Sequence, residues 1–413
     1  MIKQTTHIPA GYKPSPLGII PEDWEVKRLG EIAEIGSGGT PSKSHSEYWN
    51  GNIPWVTTSL LNNPYIETAE EYITEEGLHN SSAKMLNEGV LLMAMYGQGQ
   101  TRGKVSKLLI RASTNQACAY IDVHTGLVDY IHQNLIANYE SIRNESNDGN
   151  QKNLSLGIIS NIRISFPPLP EQRRIVDLLE LWDTAIAKQT ALIEKLTLRK
   201  RGLMQQLLTG KKRLEGFSGE WKRTPIKDFA KEVSVRNSNR EDHIVLSCTK
   251  YDGLVPSLEY FGKQIYSDDL SSYKKIPQGH FAYATNHIEE GSIGYQSKYE
   301  QGLISPMYTV FITDRKKVDD AFLFAVFKSH HLIHLYKSMM EGSINRRGGL
   351  RWDSFSTIKI NLPPLDEQTA IASVLINADK EIEIQKQKLA AIQEQKKGLM
   401  QVLLTGKRRI KIN

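Results

Sequence analysis

The side chains in this sequence that are best suited to bind a ligand are polar and basic residues set among glycines. One string, MYGQGQTRGKV at residues 95–105, contains five of them among three glycines: Gln98, Gln100, Thr101, Arg102 and Lys104. Glycine lets backbone and side chains approach a ligand closely. Glutamine and arginine pair bidentately with adenine and guanine edges, and lysine suits phosphate. The string therefore predicts a DNA contact, with a tight hairpin of solvated polar residues as the alternative.

Further candidate DNA contacts lie in other polar segments. One segment precedes a long helical pattern, and it contains Asn150, Gln151, Lys152 and Asn153. A segment at the matching place before a second such pattern contains Asn345, Arg346, Arg347 and Arg351. The string GSGGTPS adds Thr40, Ser42 and Lys43, and the later half of the chain adds Lys250, Tyr251 and Asn286. The two segments at matching places are the strongest candidates that position alone can supply.

Motifs that carry catalysis or hold a metal are missing from the sequence. In the phosphate-binding spacing GxxxxGK[ST], Gln98 stands where the first glycine belongs and Val105 where Ser or Thr belongs. No strand followed by GxGxxG opens a helix, and no NPPY-like or DPPY-like string for amino-methyl transfer is present. His330 and His334 form an HxxxH pair without the glutamate of HExxH, and ordinary helix residues are the favoured interpretation. No metal and no cofactor is expected on this chain.

The composition permits DNA binding without requiring it. The chain has 413 residues, 39% of them hydrophobic, and a formal net charge of +6, which is enough for two or three folded domains. The two cysteines, Cys118 and Cys248, lie far apart without metal-ligand spacing, which is typical of a reducing, cytoplasmic protein. The start of the chain has no apolar core, so no signal peptide is expected, and no stretch approaches a membrane span in length.

A tandem repeat organises the chain around these residues. Residues 164–214 return without gaps as residues 360–410, 196 positions later, and 22 of the 51 positions are identical. Such self-similarity at a fixed offset marks one structural unit used twice. A shorter repeat opens each half at an offset of 197, because Trp24, Leu29, Ile32 and Ala33 are matched by Trp221, Ile226, Phe229 and Ala230.

Each copy of the repeat carries a heptad pattern. Residues at alternating spacings of four and three form a seam in the first copy: Ile175, Leu179, Trp182, Ile186, Gln189, Ile193, Leu196, Lys200, Leu203 and Leu207. The second copy repeats the seam from Ile371 to Leu403. The pattern predicts one long helix per copy, paired with the other copy, in which the polar Gln and Lys layers fix the register. Gly202 and Gly398 are predicted to mark a close approach of backbones, with a kink as the alternative.

Between the opening tryptophan and the long helix the two halves diverge. Both inserts, at about residues 36–153 and 233–349, alternate short β-rich runs with glycine-rich turns. Helical stretches are predicted at 128–141 and 319–340. The fold class is therefore α/β: two small domains joined by two long helices that pair with each other. The expected boundaries are 1–163 for the first domain, 164–214 for the first helix, 215–359 for the second domain and 360–413 for the second helix.

These features together resemble the DNA specificity subunits of type I restriction-modification systems. The resemblance covers residues 20–410. It rests on PPLPEQ and PPLDEQ before the helices, on GLMQQLLTG and GLMQVLLTG at their ends, and on GGTPS, YWNGNIPWV and GQGQTRGKV in the first insert. It implies two target-recognition domains on an antiparallel helix pair, each recognising one half of a split double-stranded DNA site.

The resemblance also implies partners. One chain would bind two DNA methyltransferase subunits, and restriction subunits would join that assembly. Adenine-N6 methylation with S-adenosylmethionine would belong to the methyltransferase partner. A helix of about 38 residues is roughly 57 Å long, which suits half-sites about one DNA turn apart. Because the inserts differ, the expected site is asymmetric and bipartite, with an unread spacer.

Two other classes of function stay open on the residues alone. One is a self-contained DNA methyltransferase or nuclease with an unrecognised site. The other is a coiled-coil adaptor that binds only protein. The adaptor would show no salt-dependent DNA affinity, whereas a chain that neutralises several phosphates loses affinity steeply between about 50 and 200 mM salt.

Overall fold

The structure is a computed structural model that describes residues 8–97, 100–145, 153–341 and 349–410. The chain forms two compact units. Unit 1 extends to residue 190 and resumes at residue 387, and unit 2 holds residues 191–386. Each unit therefore combines one domain with one half of each long helix.

Unit 1 is mixed α/β. Its strands are β1 (Tyr12–Ser15), β2 (Gly18–Pro21), β3 (Glu25–Arg28), β4 (Ala33–Ser37), β5 (Trp49–Val56), β6 (Tyr65–Ile66), β7 (Glu71–Ile73), β8 (Leu91–Ala94), β9 (Val105–Leu108), β10 (Ser113–Thr114), β11 (Cys118–Val123) and β12 (Arg163–Phe166). Its helices are α1 (Leu29–Ile32), α2 (Glu75–His79), α3 (Val128–Ala137), α4 (Tyr139–Asn144), α5 (Leu156–Asn161) and the first part of α6 (Leu169–Leu207).

Unit 2 is also mixed α/β. Its strands are β13 (Lys222–Pro225), β14 (Ala230–Val233), β15 (Leu246–Thr249), β16 (Gly253–Pro256), β17 (Lys274–Pro277), β18 (Phe281–Ala284), β19 (Ile293–Tyr295), β20 (Gln301–Ile304), β21 (Tyr308–Thr313) and β22 (Lys359–Leu362). Its helices are α7 (Ser257–Phe261), α8 (Asp320–Phe327), α9 (His330–Glu341), α10 (Trp352–Phe355) and the first part of α11 (Leu365–Leu403). The predicted helical stretches at 128–141 and 319–340 are thus each divided into two helices.

Each domain contains its own four-stranded antiparallel sheet, and the two sheets have the same topology; we call this common element the shared sheet. Its strand order is β4-β11-β8-β9 in unit 1 and β14-β21-β18-β19 in unit 2. Ala33 and Ala230 are matched by the opening repeat. Ala33 pairs with Val123 on β11, and Ala230 pairs with Thr313 on β21, so the first two strands of each sheet have corresponding registers. A helix packs on the last strand of each sheet, α3 on β9 and α8 on β19. The central faces of both sheets are buried and apolar, so each domain has its own hydrophobic core.

Around this shared sheet the two domains differ. Unit 1 adds β6, which runs parallel to β9, and a separate sheet of order β10-β5-β7. Unit 2 instead adds the two-stranded sheets β15-β16 and β17-β20. The divergence of the two inserts therefore lies in the outer strands, while the inner sheet is common to both.

The long helices confirm the heptad prediction. Helices α6 and α11 are each 39 residues long, and both their first and their last residues are 196 positions apart. All seam residues from Ile175 to Leu207 and from Ile371 to Leu403 are buried or half-buried. Apolar seam positions on two helices thus supply the burial that stabilises both.

Within each unit the two helix segments run antiparallel, as the ion pairs between them show. In unit 2, Lys200 pairs with Asp379 at 2.5 Å. In unit 1 the repeat-related residues pair in the same way, with Lys396 Nζ 2.6 Å from an Asp183 carboxylate oxygen. Residues later in α6 therefore face residues earlier in α11.

The repeated PPLPEQ and PPLDEQ strings attach each domain to the helices through a buried glutamate. Glu171, at the start of α6, is fully buried and accepts hydrogen bonds from Trp24 Nε1 at 2.9 Å and from Arg409 Nη2 at 2.6 Å. The corresponding bonds in unit 2, at 3.2 Å and 2.6 Å, join Glu367 to Trp221 and Arg213. The opening tryptophan of each half is thus held by the helix that closes it.

The glutamine after each glutamate makes a second attachment. Gln172 Oε1 accepts the backbone N–H of Leu127 at 2.9 Å, directly before α3. Gln368 Oε1 accepts the backbone N–H of Asp319 at 2.9 Å, directly before α8. These bonds identify Leu127 and Asp319 as matching positions, and they connect the long helices to the helices that cover the shared sheets.

The predicted role of Gly202 and Gly398 is wrong. In the described part of the chain, a Cβ atom added to either glycine meets no atom within 4 Å, so neither marks a close approach of backbones. Both lie within continuous helices. Among the described residues, no helix is both long enough and apolar enough to cross a membrane.

Candidate nucleic-acid interface

In unit 1 the glycine-rich string forms the connection between two strands of the shared sheet. Residues 95–104, here called loop A1, join the antiparallel strands β8 and β9. The backbone N–H of Leu154 donates to the Met95 carbonyl at 2.9 Å. Asn153, which is half-buried, therefore lies where the segment before the long helix meets loop A1. The structure brings these two sequence candidates together.

Unit 2 repeats this arrangement. Residues 285–292, here called loop A2, join β18 and β19, the counterparts of β8 and β9. The backbone N–H of Leu350 donates to the Thr285 carbonyl at 2.9 Å. Gly349 has a φ of +63°, and a Cβ atom there would overlap Asn286 Oδ1, so this contact requires glycine. Asn286 and the exposed Arg351 are thereby brought to the same edge of the domain.

The described part of loop A1 is hydrogen-bonded to α4. The Tyr139 hydroxyl donates to the Gln100 carbonyl, and Arg143 Nη1 donates to that hydroxyl at 2.9 Å. Arg102 Nη2 donates to the Arg143 carbonyl at 3.2 Å, so the Arg102 guanidinium also takes part in holding the loop. The side chain of Gln100 is exposed, whereas Thr101 is half-buried.

Lys104 lies at the base of loop A1, half-buried, with its Nζ 2.7 Å from Asn62 Oδ1. Sequence reasoning missed Tyr96, which is 43% exposed within the same loop. An aromatic side chain in a polar, glycine-rich string was the available signal. It also missed Tyr139 and Arg143, whose roles depend on contacts between segments distant in sequence.

The candidate residues of the GSGGTPS string and its neighbour Lys43 lie in two different places in unit 1. A Cβ atom on Gly38 would overlap the Thr114 carbonyl oxygen, so close packing requires this glycine. The Thr40 hydroxyl donates to the Gln116 side chain, and Met95 N donates to the adjacent Ala117 carbonyl at 2.9 Å. Thr40 is therefore connected, through this turn, to the start of loop A1.

Ser42 and Lys43 lie elsewhere in unit 1. The Ser42 and Ser44 hydroxyls are 2.7 Å apart. Lys43 Nζ is 5.2 Å from the centre of the Trp49 ring and 4.0 Å from a Glu71 carboxylate oxygen. Lys43 borders an open cavity of about 610 Å³, which is also lined by both of these partners. The cavity is lined by charges of both signs.

Lys250 and Tyr251 form the turn between β15 and β16, here called turn B. Tyr251 is 78% exposed and Lys250 Nζ lies 5.2 Å from the centre of its ring. A Cβ atom on Gly291 of loop A2 would lie 3.6 Å from the Lys250 carbonyl oxygen. Turn B, which contains Lys250 and Tyr251, therefore lies against the end of loop A2, the loop that also contains Asn286.

Seven of the sequence candidates lie outside the described residues. They are Gln98, Asn150, Gln151, Lys152, Asn345, Arg346 and Arg347. Their described neighbours, Asn153 and Arg351, border the two loops named above.

Three basic residues in α6 and in the segments that follow α6 and α11 have partners inside the protein. Arg199 pairs with Glu381 at 3.3 Å and Arg213 with Glu367 at 2.5 Å. Arg409 is held by two carboxylates, and the pKa of its guanidinium is raised by hydrogen bonds to Glu171 and Asp23. For these residues the structure favours internal ion pairing over phosphate contact.

The thiols and the histidine pair do not form a reactive site. Burial raises the pKa of the Cys118 thiol to about 11 and that of Cys248 to about 12, so both are protonated near neutral pH. Among the described residues, one group of possible metal ligands has its ligand atoms close together: His287, Glu289 and Glu290. The HxxxH pair, His330 and His334, is not part of this group. Two of these three side chains are exposed.

Comparison with known proteins gives one consistent family. The family model described as "Type I restriction modification DNA specificity domain" matches residues 21–198 and 250–394. The MjaVIII specificity subunit of a type I restriction enzyme from Methanocaldococcus jannaschii is 25% identical over 95% of this chain and 94% of its own length. The EcoR124I/EcoR124II specificity subunit of Escherichia coli is 30% identical over 39% of this chain and 41% of its own length.

Solved structures show the same fold. The S subunit of a type I restriction-modification system from M. genitalium matches with a TM-score of 0.54 at 12% identity, over 94% of this chain and 97% of that one. A chain from a study of complex assembly and conformational transition of the type I R-M system matches with a TM-score of 0.60 at 15% identity. That match covers 94% of this chain and 99% of the other.

Proposed function

The chain belongs to the type I restriction modification DNA specificity family, and on this premise we propose that it selects the DNA sequence on which a type I restriction-modification enzyme acts. Relatives that span nearly the whole chain are specificity subunits, so the methyl-transfer and cleavage chemistry is assigned to other chains. The observation that carries the proposal is the family match in both halves of the sequence.

We propose that each domain recognises one half of a bipartite DNA site through its paired segments. In the first domain these are loop A1 and the segment that ends at Asn153. In the second they are loop A2, turn B and the segment that ends at Arg351. Two observations support this assignment: the same backbone bond joins the paired segments in both domains, and the outer strands around them differ. Equivalent frames with different surfaces suit two different half-sites.

The proposed partners are two DNA methyltransferase subunits and, where present, restriction subunits, assembled in the cytoplasm where the DNA is accessible. The proposed domain limits are residues 1–163 and 215–359, with the helical segments 164–214 and 360–413 between and after them. The equal lengths of the two helices support a symmetric platform, because two like surfaces can accept two copies of one partner.

Mapping of modified adenines tests the proposal directly. Genomic DNA is sequenced by a long-read method from cells that express the chain with its cognate methyltransferase subunit, and from cells that lack only this chain. We expect a bipartite, asymmetric motif that disappears without the chain. A motif that persists would remove the chain from sequence selection and favour a protein-binding adaptor.

Exchange of one insert tests the division of labour between the domains. Replacing residues 36–153 with the corresponding insert of another family member is expected to change one half-site and leave the other intact. As a control, lengthening both long helices by seven residues, one heptad, should change the spacer alone. If the exchange altered both half-sites, the two domains would not act as separate recognition modules.

A further inference from the structure

Turn B and loop A2 of the second domain are both hydrogen-bonded to one lysine. Lys328 directly follows α8, and its ammonium donates to three backbone carbonyls. The distances from Nζ are 2.7 Å to Gly291 O, 2.8 Å to Lys250 O and 3.3 Å to Thr249 O. Lys250 belongs to turn B, Thr249 directly precedes that turn, and Gly291 lies near the end of loop A2. One side chain therefore connects two of the three segments that carry the candidate DNA contacts of the second domain.

The ammonium is used entirely within the protein. An ammonium has three N–H donors and no acceptor, and here three carbonyl oxygens match them. The side chain is half-buried, and this desolvation lowers the pKa of Lys328 below its ordinary value. Lys328 is therefore poorly placed to contact a DNA phosphate itself, although it lies under residues that are well placed to do so.

Without the ammonium, the carbonyl oxygens would lie close together with no shared donor. Gly291 has a φ of +91° and faces the Lys250 carbonyl closely. Gly291 O would keep the Ile293 N–H at 2.8 Å, but the hydrogen bonds that join turn B to loop A2 through one donor would be lost. The two segments are therefore expected to separate or to exchange between arrangements. The exposed Tyr251 and the half-buried Asn286 would then lose their fixed spacing.

The first domain has no lysine at this place. Leu127 and Asp319 are matching positions, and the ninth residue after each is Ile136 in the first domain and Lys328 in the second. Loop A1 is instead held by Tyr139 and Arg143. The lysine clamp is thus a property of the second half alone.

We propose that Lys328 is a positioning residue for DNA recognition by the second domain, because it holds turn B and loop A2 in one arrangement. The inference rests on the proposed function. It adds a residue that determines specificity without touching DNA. Its consequence is restricted to one half-site, which distinguishes it from a general effect on stability or charge.

The test uses Lys328→Met in the full chain, co-expressed with the cognate methyltransferase subunit. Adenine-methylation mapping supplies the wild-type motif, and duplexes with one or the other half-site scrambled then measure discrimination at each half. We expect discrimination at one half-site to fall on the order of tenfold, as for loss of one good base contact. Discrimination at the other half-site should be unchanged, and Lys328→Arg should restore part of the loss.

The salt dependence separates positioning from direct contact. For Lys328→Met the slope of log affinity against log salt should equal that of the wild type. A slope reduced by about one, with equal weakening on all sequences, would identify a phosphate contact and overturn the proposal. Equal loss at both half-sites, or at neither, would overturn it as well. The matched control is Lys317→Met, since Lys317 Nζ also donates to a backbone carbonyl, that of Asp228 at 2.9 Å.

Two further measurements keep the test decisive. If Lys328→Met does not fold, Lys328→Gln, which retains two N–H donors, is measured with the same expected difference between half-sites. Hydrogen exchange should be faster in residues 249–253 and 287–291 of the variant than in the wild type, and unchanged exchange there would contradict the clamp. If the wild-type chain yields no chain-dependent motif, the proposed function itself fails, whatever the variant does.

Discussion

The two halves of this protein agree most closely where each domain meets the long helices and least at the outer strands. Both halves bury a glutamate at the start of the long helix, bond it to a tryptophan and an arginine, and follow it with a glutamine that holds the next helix of the domain. The outer strands have different orders and partners. The constant parts fix where a recognition surface lies, and the variable parts determine what that surface presents.

A second difference lies inside the helix seam. In unit 1, Lys396 is 8% exposed and bonds both Asp183 and Gln133 of α3, at 2.6 Å and 3.0 Å. The repeat-related pair Lys200–Asp379 is more open, and Ala325 stands at the position that matches Gln133. The first domain is therefore attached to its helices by a buried polar network, whereas Ala325 offers no side-chain donor or acceptor at the matching position of the second domain.

The largest expected effect concerns the attachment that both halves share. Glu171→Ala and Glu367→Ala each remove a fully buried carboxylate that neutralises an arginine and accepts an indole N–H. Each variant loses hydrogen bonds to a charged acceptor and leaves the indole N–H without its partner, which should lower the local free energy of unfolding by about 2 to 3 kcal/mol. The partly exposed arginine left behind can be hydrated, so it adds little to this cost. Hydrogen exchange within each unit measures the loss. Glu194→Ala, an exposed position on α6, is the control, and a loss below about 1 kcal/mol in either unit would contradict the assigned role.

The first half contains a buried histidine that should make it sensitive to acid. His132 is 1% exposed, and burial lowers its pKa to about 4, against the opposing effects of the Val105 backbone and Asp129. The unfolded chain therefore binds this proton first as the pH falls. The stability that the neutral imidazole contributes is fully present above pH 6.5 and decreases as the pH falls from 6.5 to 4. At pH 5 the free energy of unfolding should be about 2 kcal/mol lower than at neutral pH because of this group.

Substitution by the residue at the matching position in the second half isolates this effect. Phe324 corresponds to His132, so His132→Phe should flatten the pH dependence of unfolding of unit 1 between pH 6.5 and 4. The slope for unit 2 should be unaffected. Equal slopes for wild type and variant in unit 1 would show that His132 is protonated in the folded state as readily as in the unfolded one.

The seam network gives a smaller contrast. Lys396→Met should cost unit 1 about 2 kcal/mol, because it breaks a largely buried pair and leaves the Gln133 carbonyl without its donor. Lys200→Met should change unit 2 by less than about 0.5 kcal/mol, since Asp379 is 59% exposed. Thermal unfolding at matched ionic strength compares the two variants. Equal costs would mean that the Gln133 network adds nothing to the attachment of the first domain.

The helices and their pairing were predictable because their signal is local. Seam spacing is a property of neighbouring residues, and the 196-residue repeat appears when the sequence is compared with itself. Both helices start and stop at that offset. The shared sheet was not predictable. Its pairing is made by backbone groups, which accept any side chain, and insertions shift the offset from 197 at Ala33 to 190 at Val123.

The same reasoning explains the outcome for the candidate site. The segments before the long helices could be matched by position, and the structure places Asn153 and Arg351 beside the loops after β8 and β18. Turn B could be proposed from its residue types. The lysine beneath it could not, because Lys328 is 78 residues from Lys250 in sequence and forms only backbone contacts there.

The smallest expected effect concerns a glycine that both long helices carry at the same position, although no close contact in the described structure requires a glycine there. Gly202 and Gly398 lie inside helices, and among the described residues no atom lies near the space that an added methyl group would occupy. Ala is about 1 kcal/mol more favourable than Gly inside a helix, so Gly202→Ala and Gly398→Ala should each stabilise the free chain by about 0.5 to 1 kcal/mol. Helix hydrogen exchange measures the gain. Destabilisation by either variant would mean that the backbone at that glycine adopts a conformation or contact which alanine does not tolerate.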